Sequence, residues 1–431
     1  MDLKKKAGAV REAAYLLSTT GSDQRNRALE KIAEALAENR VEIIQANRAD
    51  LERGERQGLP APLYKRLKFD EGKLQDAIEG IKSLIGLKDP IGDTSLAREL
   101  DQGLELYRVS CPIGVIGIIF ESRPDALVQI STLCLKSGNG VILKGGSEAR
   151  ETNRVLTRII REASSGAGIP GDWICGLETR EGVEAMLVLD DCIDLIIPRG
   201  SNSFVRYIMD HTRIPVMGHA DGICHCYVDE DADVKMAVHI TSDSKTQYVA
   251  VCNALETLLV HRDIAHLFLP ELKRVMDEKG VTLLGCPKTC QIISVGAATE
   301  EDWGTEYLDL RLSVKVVENR DEAVRHINTY GSGHTDVIVT SSRDAAADFL
   351  ARVDSGNVFW NCSTRFSDGY RYGFGAEVGI STGKLHARGP VGLEGLVTYK
   401  YKLLGTGQVV ADYAERRKSF THAPLNRDCP V

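Results

Sequence analysis

The sequence predicts an α/β protein made of two units, each built on a parallel sheet. Three observations carry that expectation. Short runs such as Gly114-Val115-Ile116-Gly117-Ile118-Ile119-Phe120 are apolar throughout, where a half-exposed strand would alternate. Helix-length segments follow these runs in alternation, as βαβ units require. The chain has 431 residues, and a single core rarely serves much more than about 150, so two or three domains are expected.

Each element follows from local pattern. Over the first 90 or so residues, segments 27–37, 41–46 and 74–87 place apolar groups at helical spacing, with breaks at Gly54, Gly58, Pro60 and Pro62. Segment 94–109 alternates apolar and polar side chains around Asp101-Gln102-Gly103, which reads as a hairpin. Strands at 114–120, 141–143 and 193–197 then alternate with helices at 125–136, 147–163 and 201–209. A second unit has strands at 225–228, 256–260, 314–317, 337–339 and 357–360, with helices at 234–243, 264–279, 321–329 and 345–353. The tail regains strand character at 396–401. No internal repeat or low-complexity linker is evident. The expected division is 1–93 with 111–230 as a nucleotide-binding domain, 231–392 as a catalytic domain, and 94–110 with 393–431 as a separate hairpin and tail.

Composition narrows the function. Hydrophobic residues at 43% and charged residues at 26% are the balance of a globular protein. Lys and Arg total 53 against 61 Asp and Glu, a net charge of −8. That argues against a general nucleic-acid binder, and aromatic content of 6% argues against base-stacking platforms. A local basic pocket for a small anion stays open. No run of ~20 apolar residues occurs, so no membrane span is expected. The basic start at Lys4-Lys5-Lys6 runs into an amphipathic segment, Arg11 to Leu17, so no secretory signal is expected. The 11 cysteines include no CxxC, and the close pairs Cys224/Cys226 and Cys286/Cys290 lack a matching second pair. No zinc ribbon or other metal site is expected, and the setting is a reducing cytoplasm.

Two strand ends could hold a phosphate or ribose. No GxGxxG is present. Leu143-Lys144-Gly145-Gly146-Ser147-Glu148 and Ile197-Pro198-Arg199-Gly200-Ser201-Asn202 each lead from a strand into a helix, where backbone amides face an anion. Either alone reads equally as an ordinary cap. Two at successive strand ends tip the balance toward a nucleotide. For a nucleophile, Cys252 in Tyr248-Val249-Ala250-Val251-Cys252-Asn253 stands in a loop before a strand, but spacing alone does not choose it over Cys134 or Cys362.

Longer motifs make that choice. They are 114–148 (GVIGIIFESRPDALVQISTLCLKSGNGVILKGGSE), 194–203 (DLIIPRGSNS), 215–233 (PVMGHADGICHCYVDEDAD), 251–261 (VCNALETLLVH), 334–339 (HTDVIV) and 358–395 (VFWNCSTRFSDGYRYGFGAEVGISTGKLHARGPVGLEG). Over nearly its whole length the chain resembles the aldehyde dehydrogenase superfamily, and within it the branch that reduces γ-glutamyl phosphate. The resemblance implies an aldehyde-dehydrogenase-like α/β fold, with a Rossmann-type cofactor domain, a second α/β catalytic domain and a small β oligomerisation element. It implies that Cys252, beside Asn253, attacks the acyl carbon of L-γ-glutamyl 5-phosphate and expels phosphate. A hydride from NADPH then converts the thioester to L-glutamate 5-semialdehyde, a step of proline biosynthesis.

The resemblance also assigns roles, and its departures matter. Hydrolytic members carry a Glu base in the segment matching Gly218-His219-Ala220-Asp221, where this chain has His219. Losing the carboxylate suits an enzyme that must not hydrolyse its thioester. The superfamily's oxyanion Asn is missing from Phe120 to Pro124; Ser122 aligns there, so the Cys252 backbone N–H is expected as the main oxyanion donor and the Ser122 hydroxyl as a second. Arg123, Arg365 and Arg371 are expected on the substrate's anionic groups, His219 beside them, and Asp368 or Glu121 on its ammonium. Lys144, Ser147 and Glu148 match the adenosine-ribose loop, Gly200 and Ser201 the pyrophosphate turn, and Glu306 the nicotinamide-ribose carboxylate. The branch implies NADPH, although Glu148 alone would favour NAD. It also implies a homo-oligomer and a glutamate 5-kinase acting upstream. Two other readings remain: a hydrolytic semialdehyde dehydrogenase, and a catalytically silent scaffold or nucleotide sensor.

Overall fold

The computed structural model describes residues 3–177, 182–219 and 221–431. Helices Leu3–Leu17, Ser22–Glu38, Arg40–Arg56 and Glu71–Ile85 come first. Their apolar stripes are buried, Leu29, Ile32 and Leu36 on one and Leu74, Ile78 and Ile81 on another. Asp70 starts the Glu71–Ile85 helix by accepting the Lys73 N–H at 3.1 Å. No described helix is long and apolar enough to cross a membrane.

The first sheet has four parallel strands in the order Ile174–Leu177, Gly140–Gly145, Val115–Phe120, Leu195–Arg199. All six residues of Val115–Phe120 are buried, which explains the unbroken apolar run. The chain moves outward from Val115–Phe120 on one side and then crosses back to add Leu195–Arg199 on the other. The order therefore reverses between these two strands, and their carboxyl ends open a crevice there. Ser122 and Gly200 follow directly on that edge.

The second sheet has seven strands, all paired in parallel: Gly296–Ala297, Thr282–Gly285, Arg311–Val317, Leu255–His261, Cys224–Val228, Thr335–Val339 and Asn357–Trp360. A third, antiparallel sheet is the expected hairpin, Thr94–Asp101 with Leu104–Pro112, joined by Val397–Leu404 and Ala423–Pro424. Gly103 takes φ +70 in the hairpin turn, a conformation other residues resist.

The expected division needs two corrections. Strand Cys224–Val228 pairs with Leu255–His261 and Thr335–Val339, so the second unit begins before Cys224 and not at 231. The run Asp229-Glu230-Asp231, at the expected boundary, is a strand-to-helix turn of this unit, held where the Asp229 N–H donates to the Val339 carbonyl at 3.0 Å. At the far end, Val378, Ala387, Val391, Leu393 and Leu396 pack into the core of the first sheet with Phe120, Leu133 and Leu143. Asn139 pins this return, donating to the Leu396 carbonyl and accepting from the Gly114 N–H, both at 2.8 Å. The end of the expected catalytic domain and the start of the expected tail thus belong to the first unit's core.

Candidate active site

Cys252 stands, partly exposed, in the turn between helix Val234–Thr246 and strand Leu255–His261. Two segments, 222–224 and 364–367, clamp that turn. Gly222 lies so close that a Cβ there would overlap the Cys252 backbone and sit 2.6 Å from its Cβ. The Cys224 thiol donates to the Cys252 carbonyl at 3.2 Å. Asn253 donates to the Ser367 carbonyl at 2.7 Å, and the Thr364 hydroxyl donates back to the Asn253 carbonyl at 2.7 Å. Asn253 therefore positions the thiol and does not itself reach toward a substrate. The Cys252 backbone N–H donates to no other group among the described residues, so it is free to meet a developing oxyanion.

Two imidazoles face the sulfur. His219, Cys252 and His334 present ligand-type atoms within 4.8 Å of one another, and the two rings meet edge to face at 4.9 Å. His219 Nδ1 must donate to the Ile380 carbonyl at 2.7 Å, because a carbonyl only accepts. Burial, with Arg199's charge adding to it, pushes the His219 pKa down despite that bond, so its Nε2 carries a lone pair. Ala220, in the same segment, lies outside the described residues.

Cations flank the thiol from both units. Arg199 ends strand Leu195–Arg199, within the field of Cys252, Glu377 and Arg123. Burial above all, then Arg123, pushes its pKa down. Neither Arg199 nor Arg123 makes a side-chain hydrogen bond or ion pair among the described residues. Arg365 approaches from the second unit, its Nε donating to Gln247 at 2.9 Å, its two terminal guanidinium nitrogens without a hydrogen bond among the described residues, and Cys252 within its field. Arg371 and Asp368 differ from expectation. Arg371 donates to the Arg365 carbonyl at 2.8 Å and pairs with Asp368 at 3.5 Å, while Asp368 also accepts the Tyr370 and Arg371 N–H groups at 3.0 and 3.1 Å. These two shape the loop that presents Arg365. Glu377 accepts the Gly369 N–H at 2.8 Å, and burial pushes its pKa up beside Arg199.

The cofactor side corrects a second expectation. Ser122 takes φ +44, and both its N–H and its hydroxyl bond one Glu148 oxygen, at 2.7 and 2.6 Å. A hydroxyl committed to Glu148 is not an oxyanion donor. Glu148 curls over Gly146, where any Cβ would strike its carboxylate. The Lys144 ammonium bonds the Gly145 carbonyl at 2.7 Å, with its pKa lowered by burial. Asp50 caps the following helix through Thr152 N–H at 2.8 Å and Glu151 N–H at 3.1 Å. A cavity of about 340 Å³ opens beside Gly145 and Gly146, lined also by Asn153, Lys6 and Arg161. Asn153 Oδ1 is buried there with no hydrogen-bond partner among the described residues, an acceptor that could meet a donor such as a ribose hydroxyl or adenine amine. At the other strand end the Ser201 N–H bonds Glu121 at 3.2 Å, which keeps Glu121 at that turn and off the substrate ammonium. Glu306 accepts from Asn202, with its pKa raised by burial and lowered by His219, so it borders both halves of the site.

The chain belongs to the aldehyde dehydrogenase family, whose sequence profile matches residues 1–282. Its relatives place it in one branch. The gamma-glutamyl phosphate reductase of Pelotomaculum thermopropionicum is 68% identical over 428 residues, covering 99% of each chain. That of Acetivibrio thermocellus is 66% identical over 431 residues, the full length of both. The crystal structure of gamma-glutamyl phosphate reductase from Thermotoga maritima superposes with a TM-score of 0.92 at 43% identity, covering 94% of this chain and 99% of its own.

Sequence reasoning missed Arg199 as a pocket cation, along with Gly222, Glu377 and His334. Arg199 was visible only as a helix-turn residue suited to a cofactor phosphate. His334 opens the motif HTDVIV, which carried the family resemblance without suggesting a role.

Proposed function

We propose that the chain reduces L-γ-glutamyl 5-phosphate to L-glutamate 5-semialdehyde, releasing phosphate, through a thioester on Cys252. One observation carries the reading: the clamped Cys252 is near enough to Arg199 and to Arg365 for its charge to act on both, neither guanidinium forms an ion pair with a carboxylate among the described residues, and His219 stands where hydrolytic members carry a carboxylate base. An acyl phosphate supplies the missing anion. The Cys252 thiolate forms the S–C bond, the C–O bond to phosphate breaks, and phosphate leaves with the electron pair beside the guanidinium groups. The tetrahedral oxygen meets the Cys252 N–H. His219, fixed through Nδ1 and neutral, places an imidazole where a hydrolytic enzyme would hold a base for water.

The cavity would take the adenosine end of a nicotinamide dinucleotide, which when bound supplies the hydride that reduces the acyl group. Lys144, Ser147, Glu148 and Asn153 would hold its adenosine end, Gly200 and Ser201 its pyrophosphate, and Glu306 its nicotinamide ribose. NADPH is the proposed form. Lys6 and Arg161 line the cavity without ion pairs among the described residues and suit an added phosphate.

The 11 cysteines are unpaired, which supports a reducing cytoplasm. Tyr399, Tyr401 and Leu403 stand exposed on one face of the edge strand Val397–Leu404, supporting a homo-oligomer. The labile acyl phosphate calls for a kinase upstream.

The test is Cys252→Ser. NADP⁺ reduction by semialdehyde plus phosphate should vanish while cofactor binding remains. Acid formed from semialdehyde in the absence of phosphate would instead establish the hydrolytic reading.

A further inference from the structure

We propose that Cys252, His219 and His334 form a reversible inhibitory site for Zn²⁺, which caps the sulfur and silences the enzyme. The inhibitory role rests on the reading of Cys252 as nucleophile; the binding itself does not.

The three ligand-type atoms come from three separate segments and lie within 4.8 Å of one another. A thiolate with two imidazoles is a donor set that Zn²⁺ favours, in a tetrahedron whose fourth position stays open to water. A second observation points the same way. His334 is 0% exposed, yet its Nε2 has no hydrogen-bond partner among the described residues. Its Nδ1 lies 2.8 Å from the Thr335 hydroxyl, which can accept the Nδ1 proton and leave Nε2 with a lone pair. His219 is held in the same way, Nδ1 on the Ile380 carbonyl at 2.7 Å. Imidazoles oriented through one nitrogen so that the other is free are the usual supports of a metal site. The other acidic and histidine group, Glu230 with His261 and Asp263, differs. His261 Nδ1 already accepts the Asp263 N–H at 3.3 Å as a helix cap, and both carboxylates are exposed.

Binding releases one proton while three bonds to the metal form, one from sulfur and two from neutral imidazole nitrogens, in place of waters that leave the hydrated ion. The Cys252 thiol loses its proton to solvent as the S–Zn bond forms, and no oxidation state changes. While that lone pair is on zinc, the S–C bond to an acyl carbon cannot form. A chelator restores the free thiol.

The test uses the full-length protein with Co²⁺ as a spectroscopic probe and Zn²⁺ as its competitor. Expected is a thiolate-to-cobalt charge-transfer band at one ion per chain, displaced by zinc, in step with loss of turnover that a chelator reverses. Cys252→Ser should abolish the band. His334→Gln and His219→Gln should each keep the thiol and weaken zinc binding at least tenfold. Should the buried His334 variant fail to fold, His219→Gln decides alone. Absence of the band in the parent protein overturns the proposal, as does its survival in Cys252→Ser or an unchanged zinc affinity in a folded histidine variant. If the band appears but turnover survives Cys252→Ser, the reductase reading fails and the metal site stands. If turnover needs Cys252 but no band forms, only the metal site fails.

Discussion

Arg199→Met tests the pocket most directly, because methionine keeps the apolar stem and removes only the charge. In the free enzyme the Arg199 guanidinium has no hydrogen bond or ion pair among the described residues, Arg123 repels it, and Glu377 is the foremost opposing charge. The substrate phosphate is the partner it lacks. One hydrogen bond to a charged group contributes about 1.5–3 kcal/mol, which corresponds to about a 10- to 150-fold fall in kcat/KM. Arg199 is only partly buried, so screening by water places the expected loss toward the lower end. Initial rates of NADP⁺ reduction, with phosphate and semialdehyde varied in turn, measure it. The loss should fall mainly on the KM for phosphate, with the Tm unchanged or slightly raised, since a poorly compensated charge has been removed. Arg199→Lys should recover part of the activity as a point charge without the planar fork. A folded Arg199→Met enzyme within threefold of the parent for both substrates would refute the assignment.

Asn253→Ala strands the buried Ser367 carbonyl, so stability should fall by about 1–3 kcal/mol in thermal or urea denaturation, and kcat should drop because the thiol loop loses an anchor. Gly222→Ala drives a methyl group into the Cys252 turn; the rate of Cys252 alkylation should shift several-fold even where the protein folds. Glu256 and Lys245 form a fully buried pair at 2.6 Å, and burial pushes the Glu256 carboxyl from 4.5 up to about 7 over the opposing pull of Lys245. Between those values the folded chain keeps a proton that the unfolded chain releases. Stability from this group is therefore full below the lower value and is lost as pH rises through the upper one. Urea midpoints at several pH values across that window should fall in the parent and flatten in Glu256→Gln.

How much of this was legible depends on where each signal lay. Strand Val115–Phe120 was readable because burial on both faces leaves an unbroken apolar run. Strands Ile174–Leu177 and Thr282–Gly285 were not, since four residues, one of them glycine, carry no period. Cys252 could be chosen only through its long flanking motifs, because an unpaired cysteine looks alike in a core and in a site. Arg199 and Ser122 show the harder limit. Both sit where a strand ends; local pattern placed Arg199 near a phosphate, and the family resemblance placed Ser122 near an oxyanion. Their actual neighbours, Gly379 against the Arg199 side chain and Glu148 on Ser122, come from other strands and loops. Nothing in the non-glycine Ser122 announces its positive φ.

The return of Val378 to Leu396 onto the first core has a consequence for synthesis. A ribosome delivers the amino-terminal sheet early, but the residues that seal one side of it arrive almost last. Until then an apolar face with Phe120 and Leu133 stays open to solvent or to a chaperone. A fragment that stops after the first four parallel strands should therefore be sticky and poorly soluble, and adding the 376–396 peptide in trans should rescue it.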